Sequence, residues 1–541
     1  MTMNMKEPVA QCGDLINSAL SAIKAFASEG GKVLPGKLDE HQVAIFDLAV
    51  AHAQMKTAEH FLLFADTKGA HEQQLANTFA ADVCADTLAR LKRTAPDFGL
   101  KTDDFSIENG VLTAAQQYLN KDSLTALGAS IAAGSGLGER GLGEEHGMMA
   151  DTFRQFATDV VEPLAEDVHR QDQIIPMPIL DGLRDLGCFG LSVPERFGGL
   201  LPDDSEDSLG MIVVTEELSR ASLGAAGSLI TRPEIMARAL LEGGTPAQQS
   251  HWLPKIAAGD PLCGIALTEP DYGSDVASMR LKATQVEGGW LLSGAKTWST
   301  FAGKAGVLLT IARTNPDLSL GHRGLTLFMC EKPSTEEDEF EFEQPTGGKL
   351  SGKSIATVGY RGMHSYQLFY DDFFVPDENV VGESQGLGRG FYFTMRGLMG
   401  GRIQTAARAC GVMQAAFDKA VSYANERKVF GQPIAEFNLT RAKLARMAAH
   451  LAATRQMTYE VGRMMDQGKG QTEASLVKLF ACKAAEWISR ESMQIHGGMG
   501  YAEETAVSRY WQDARVLSIF EGTEETLALK VVGRSLVENA T

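Results

Sequence analysis

Five short stretches of this chain bring together residue types able to do chemistry. Ile519-Phe520-Glu521-Gly522-Thr523 places a carboxylate just ahead of a helical run, with Thr523 positioned to cap it. That carboxylate is a candidate general base, although a lone Glu in the approach to a helix is ordinarily solvated. Leu267-Thr268-Glu269-Pro270-Asp271-Tyr272-Gly273-Ser274-Asp275 brackets a Pro and Gly turn with hydroxyls, so hydroxyl and free amide donors gather at one edge. In Lys296-Thr297-Trp298-Ser299-Thr300 the indole can cover a flat ring system, and Thr300, two residues along a strand, points to the same side. Glu426-Arg427-Lys428-Val429-Phe430-Gly431-Gln432 follows a long helix; Arg427 suits a pyrophosphate, while a basic helix end is equally what the macrodipole favours. Gln494-Ile495-His496-Gly497-Gly498-Met499-Gly500-Tyr501 supplies glycines where backbone can approach a ligand closely. A single residue joins these stretches: Arg232, beside Leu229 and Ile230, is costly among apolar positions unless paired or solvated. A carboxylate ligand would pair with it; so would Glu234, or water at a surface.

The elements that must position these residues alternate in type. Phe46, Ala49, Val50 and Ala53, then Leu75, Phe79 and Val83, recur at helical spacing and predict a helical extension over residues 1–133. A Gly-rich stretch follows and predicts a linker over 134–147. Gly136 to Gly141 matches G-x-G-x-x-G, but that fingerprint belongs after a strand, and here a helical pattern precedes it. Helical patterns fill 148–261, interrupted by turn residues at Ser192 to Gly199. Over 262–385 short β-type runs at 290–292, 307–312, 325–330 and 367–370 predict a small barrel or sandwich. The acidic stretch Glu336 to Glu343 between two of them reads as a solvated loop or hairpin. Over 386–541 helices return, and Ile403, Ala406, Ala407, Cys410, Met413, Phe417 and Val421 predict one long core-facing helix. A net charge of −19 argues against broad attraction to nucleic acid or anionic membranes. The seven scattered cysteines fit reduced thiols in the cytoplasm, with no C-x-x-C pair and no metal site expected.

From about Met148 to the C-terminus, the order of elements and these motifs resemble the acyl-CoA dehydrogenase family. The resemblance implies an α+β fold of helical domain, β-barrel domain and C-terminal four-helix bundle, here with an extra N-terminal helical domain. It implies FAD as cofactor and an acyl-CoA substrate dehydrogenated across its α,β bond, with Glu521 as the base. Leu267, Thr268, Gly273, Ser274, Trp298, Ser299, Thr300 and Thr523 then hold FAD, and Arg427, Phe430, Gln494, Gly497 and Gly498 hold that of the neighbouring subunit. Ser274, Arg402 and Gly522 fall to the substrate, together with Arg232 at the far end of the acyl pocket. In the family the backbone amide of the base residue and an FAD ribityl hydroxyl bind the thioester oxygen. A second branch of the family places its base just before an Arg, where this chain has Gly401 ahead of Arg402. After E-G-T the family often has Ser and a Gln that reaches FAD; here Glu524-Glu525 stands instead, leaving the role of Glu525 open. The resemblance further implies an electron-transfer flavoprotein as partner and a homo-oligomer, expected to be a dimer because the extension covers the face relatives use to form tetramers. With the extension included, it points to a short, α-methylated thioester ending in a second carboxylate. An acyl-CoA oxidase is the rival of the same fold; a DNA-binding flavoprotein of the superfamily needs a basic surface this composition lacks.

Overall fold

Helical spacing and β-type runs resolve, in the computed structural model, into elements described over residues 4–540. In chain order the principal ones are α1 (Lys6–Ala27), α2 (Gln42–Asp66), α3 (Ala70–Arg93), α4 (Glu108–Leu119), α5 (Lys121–Ser130), α6 (Ser208–Ala221), α7 (Thr231–Gly243) and α8 (Pro246–Ala258). Next come β1 (Cys263–Ala266), β2 (Lys282–Val286), β3 (Gly289–Thr300), β4 (Val307–Arg313), β5 (Leu325–Glu331), β6 (Glu339–Glu343), β7 (Lys349–Ile355) and β8 (Ser365–Pro376). Last are α9 (Gly390–Glu426), α10 (Asn438–Asp466), α11 (Gln471–His496) and α12 (Ala506–Leu517). The chain divides into two units, residues 1–148 with 405–541, and residues 149–404.

In the first unit the N-terminal helices bury their apolar faces on the C-terminal ones. Phe79 of α3 meets His450 of α10 edge-on at 4.9 Å and Phe480 of α11 at 5.6 Å. Asp82 accepts from His450 at 3.0 Å. Helix α5 comes so near α10 that a Cβ on Gly128 would stand 2.0 Å from the Arg441 carbonyl oxygen, so only glycine fits there. The Gly-rich stretch is laid along α10: Gln456 donates to the Arg140 carbonyl at 3.0 Å, Arg463 to that of Gly141 at 3.0 Å, and Arg140 Nε to the Tyr459 hydroxyl at 2.9 Å. A helix begins at Glu144, inside the stretch read as linker, because Glu144 and Glu145 suit a positively polarised first turn.

The second unit holds an eight-stranded sheet in the order β1-β4-β2-β3-β8-β7-β6, with β5 joined to β4. β4 is buried along its whole length, which is why Val307 to Ala312 reads as an unbroken apolar run. β6 lies at the edge and alternates exposed glutamates with half-buried Phe340 and Phe342, so the acidic stretch is a charged edge strand paired with β7. Among the described residues no helix is long and apolar enough to cross a membrane.

Candidate active site

The Thr268–Ser274 turn is fixed to β3 by one buried cation. Lys296 donates to the Leu267 carbonyl at 2.7 Å and to Glu269 Oε1 at 2.9 Å. The Glu269 carboxylate also accepts the amides of Arg280 and Leu281 at 2.7 and 2.8 Å. Burial pushes the Lys296 ammonium down to about 8, against the pull of Glu269 in the other direction. The Thr297 amide donates to the Thr268 carbonyl at 2.8 Å, which closes the turn onto the strand. Gly273 and Ser274 are exposed on the turn, and a Cβ on Gly273 would meet only the Thr268 methyl, at 4.0 Å. Among the described residues no contact requires glycine there.

Just beyond, the β3–β8 register slips between the Ser299↔Tyr366 and Lys296↔Leu368 pairs. The slip is a bulge, and bulges re-aim side chains. Trp298 sits in it with φ 54°, a left-handed conformation that non-glycine residues rarely adopt, and its indole is 56% exposed. The regular alternation that would place Thr300 on the same side as Trp298 is broken at this point. Thr300 shares a hydrogen bond with Ser365 at 2.9 Å, and the buried Ser299 hydroxyl has no partner among the described residues. An exposed indole, an orphaned hydroxyl and an open glycine turn form a surface that fits a flat, carbonyl-bearing ring.

Arg232, on α7 in the same unit, is 8% exposed. It donates to the Ser228 carbonyl at 2.7 Å and to the Tyr360 hydroxyl at 3.2 Å. Glu234 pairs instead with Arg238, at 2.8 Å, and accepts from Gln404. Neither the surface nor the Glu234 alternative for Arg232 is what the structure has. Ser228, beside it, has a buried hydroxyl without a partner among the described residues. Arg402 is half-buried and Gly401 buried. A Cβ on Gly400 would stand 2.5 Å from Glu234, so a carboxylate does approach this stretch, but it is already committed to Arg238.

The remaining candidates belong to the first unit. Glu521 is half-buried in the loop between α12 and a helical turn beginning at Glu524, with φ 54°. Lys478 of α11, 1% exposed, donates to the Phe520 carbonyl at 2.7 Å and the Gly522 carbonyl at 2.5 Å. Thr523 caps the turn by accepting the Thr526 amide at 3.3 Å. Arg427 is exposed at the end of α9, and Phe430, 98% exposed with φ 50°, tips a tight ribbon beside it. Gln494, Gly497 and Gly498 are exposed, and a Cβ on either glycine would meet nothing within 4 Å. Thus Thr268, Ser274, Trp298, Ser299, Thr300, Arg232 and Arg402 stand in one unit, and Glu521, Thr523, Arg427, Phe430 and Gln494 in the other.

Sequence profiles for the N-terminal, middle and C-terminal domains of acyl-CoA dehydrogenase match residues 143–260, 264–373 and 388–537. The (2S)-methylsuccinyl-CoA dehydrogenase of Cereibacter sphaeroides is 37% identical over 97% of this chain and 96% of its own length. The chain belongs to the acyl-CoA dehydrogenase family. Its members are flavin-dependent oxidoreductases acting on the CH–CH bond of acyl-CoA. Butyryl-CoA dehydrogenase from Megasphaera elsdenii superposes with a TM-score of 0.67 at 31% identity, covering 73% of this chain and 98% of that one. A chain in a solved structure of the electron transferring flavoprotein of Acidaminococcus fermentans gives a TM-score of 0.66 at 29% identity, over 73% and 98%.

Sequence reasoning missed two residues of these surroundings, Lys478 and Tyr360, and the anchoring role of Lys296. Lys478 was legible as a lone lysine among the apolar neighbours Leu476, Val477, Leu479 and Phe480. Tyr360 carried no local signal, because its contact with Arg232 is made by the fold.

Proposed function

We propose that this chain catalyses the FAD-dependent α,β-dehydrogenation of a short, branched, dicarboxylic acyl-CoA, converting (2S)-methylsuccinyl-CoA to mesaconyl-CoA in the ethylmalonyl-CoA pathway. One observation carries the substrate. The likeness to the Cereibacter sphaeroides enzyme spans 97% of the chain, including the helices ahead of residue 143 that the family profiles leave out.

Glu521 removes the proton from the α-carbon, and its own backbone amide donates to the thioester oxygen as negative charge develops there. Bound FAD supplies the acceptor for the hydride from the β-carbon. The two hydrogens leave as proton and hydride, and the product gains the α,β double bond. Trp298 would cover the flavin ring, the hydroxyls of Thr268, Ser299 and Thr300 would donate to its polar edge, and the open backbone of Leu267, Gly273 and Ser274 would let it approach. Thr523, whose hydroxyl caps the turn that follows the base loop, would be a further residue for the cofactor. Arg427, Phe430, Gln494, Gly497 and Gly498 serve the cofactor of a second copy in a homodimer, and their exposure in the single chain supports that placement. Gly522, Ser274 and Arg402 border the thioester, and Arg232 receives the distal carboxylate. Electrons pass on to an electron-transfer flavoprotein, a reading supported by the flavoprotein likeness above.

The test is a panel of acyl-CoA thioesters added to the flavin-loaded protein without oxygen. Bleaching fastest with (2S)-methylsuccinyl-CoA is the expected result. Preference for butyryl-CoA or 2-methylbutyryl-CoA would reassign the substrate, and rapid turnover with oxygen as sole acceptor would make the chain an oxidase.

A further inference from the structure

Helix α11 grips the loop that carries Glu521 at successive points. Lys478, Cys482 and Glu486 recur every four residues and so share one face of the helix. Cys482 Sγ reaches the Leu517 carbonyl at 3.2 Å, Glu486 accepts from the Ser518 hydroxyl, and Lys478 binds the carbonyls of Phe520 and Gly522 at 2.7 and 2.5 Å. Lys483, one residue off that stripe, pairs with Glu524 at 2.8 Å. The loop therefore meets a row of matched partners from 517 to 524. It needs them, because Glu521 and Gly522 both have positive φ, at 54° and 93°, and the left-handed region is disfavoured for glutamate.

The orientation of the peptide groups gives this grip a chemical consequence. In a planar trans peptide the C=O and N–H point in opposite directions. With the Phe520 carbonyl turned onto Lys478, the Glu521 amide is turned away from α11. The ammonium thus aims the amide as well as fixing the backbone that carries the carboxylate. The N-terminal helices brace the same scaffold. The Lys483 ammonium lies 5.3 Å from the centre of the Phe46 ring of α2, and a Cβ on Gly533, beyond the loop, would stand 2.3 Å from Ile45 of α2. Glu524, which departs from the family pattern, is thereby joined through Lys483 to the extension that most of the family match leaves out.

We propose that Lys478 is the positioning residue for Glu521, holding the base and its backbone amide in the conformation from which they act, with the Lys483–Glu524 pair, braced on Phe46, as the second tie. This rests on the reading of Glu521 as the base.

The experiment compares Lys478→Met, Glu521→Gln and the double variant, each loaded with flavin, on the preferred thioester. Lys478→Met alone is expected to lower kcat about 10²-fold, the usual consequence of displacing a catalytic group by about 1 Å, with KM and bound flavin little changed. In the Glu521→Gln background the same change is expected to cost well under about 10²-fold, because no carboxylate base remains to be positioned and only the amide is still displaced. Losses that multiply in the double variant, or a flavin-loaded Lys478→Met with near-normal kcat, overturn the proposal. Normal turnover by Glu521→Gln instead defeats the assignment of the base. If Lys478→Met yields no flavoprotein, Glu524→Gln decides, since that side chain is only partly buried: a loss of about twofold in kcat at constant KM, absent in the Glu521→Gln background, supports the second tie, and an unchanged kcat rejects it.

Discussion

Replacing Arg232 with leucine tests how the chain would recognise a second carboxylate. Arg232 is 8% exposed, yet among the described residues its guanidinium bonds only neutral oxygens, the Ser228 carbonyl at 2.7 Å and the Tyr360 hydroxyl at 3.2 Å. Two such bonds leave guanidinium donors for a bidentate carboxylate, and the partnerless Ser228 hydroxyl stands beside them. Charge-assisted hydrogen bonds contribute about 1.5–3 kcal/mol each, so losing a bidentate pair costs methylsuccinyl-CoA roughly 3–6 kcal/mol, or about two to four orders of magnitude in kcat/KM. Butyryl-CoA has no carboxylate to lose, and leucine spares it from facing a buried cation. Its kcat/KM is expected to hold or rise, so the ratio of the two constants inverts. Folding stability changes little, within about 1 kcal/mol, because the two bonds lost are offset by removal of a desolvated charge. The assay is steady-state turnover with an artificial electron acceptor on both thioesters, with thermal melting as control. An equal fall on both substrates with a lowered Tm would mean that Arg232 only holds α7 against the Tyr360 loop, and the carboxylate assignment would be wrong.

Three further outcomes are expected. Glu521→Gln retains bound flavin and loses at least about 10²-fold in turnover, as removal of a general base does; near-normal turnover sends the search for the base elsewhere. The N-terminal helices occupy the α10 and α11 surface, so light scattering should give a homodimer, and a tetramer would reject their role in covering the face used by relatives. Burial lowers His52 of α2 from 6.5 to about 4, so the unfolded chain takes up that proton first as pH falls. The associated stability, at most about 3 kcal/mol, is present above about pH 6.5 and lost between there and about pH 4; His52→Leu should flatten that part of a urea-melting profile against pH, and an unchanged acid limb would contradict it.

What the sequence shows of this fold follows from which forces are local. The spacing from Ile403 to Val421 predicts one long helix and α9 is that helix, because burial of a continuous stripe is written into adjacent turns. Four β runs are legible because apolar, β-branched or aromatic residues concentrate in them. β1 (Cys263–Ala266) and β7 (Lys349–Ile355) are not, since one is four residues long and the other is rich in Lys, Ser and Gly, and their pairing is set by β4 and β8. The five motifs lie at turns and element ends, where residue type is constrained locally. The partners that hold them and Arg232, namely Lys296, Lys478, Ser365 and Tyr360, reach across 29, 44, 65 and 128 residues, and no local pattern encodes those distances.

Backbone strain joins the parts that sequence leaves separate. Among the described residues eight non-glycine positions have positive φ; Trp298, Phe430 and Glu521 lie in the motifs, and Tyr360 is bonded to Arg232. Each such conformation costs on the order of 1–3 kcal/mol and persists only where surrounding contacts over-determine it. For Glu521 those contacts are the two carbonyl bonds from Lys478. For Trp298 they are the bulge and the Thr297 bond to the turn. For Tyr360 they are its bond to Arg232 and the close approach of its loop to Gly224, where a Cβ would stand 2.1 Å from the Arg361 carbonyl oxygen. Phe430 differs. It and Gly431 form a two-residue turn with φ 50° and 87° between Lys428–Val429 and Gln432–Pro433, a place where Asn or Gly at the first position would relieve the strain. Its ring is 98% exposed and makes one edge contact, with Phe437 at 6.5 Å, so a single chain gains almost nothing from a phenylalanine there. A large apolar ring held at a strained tip is repaid only by burial against something else, which is the physical case for placing this turn on the cofactor of a second copy.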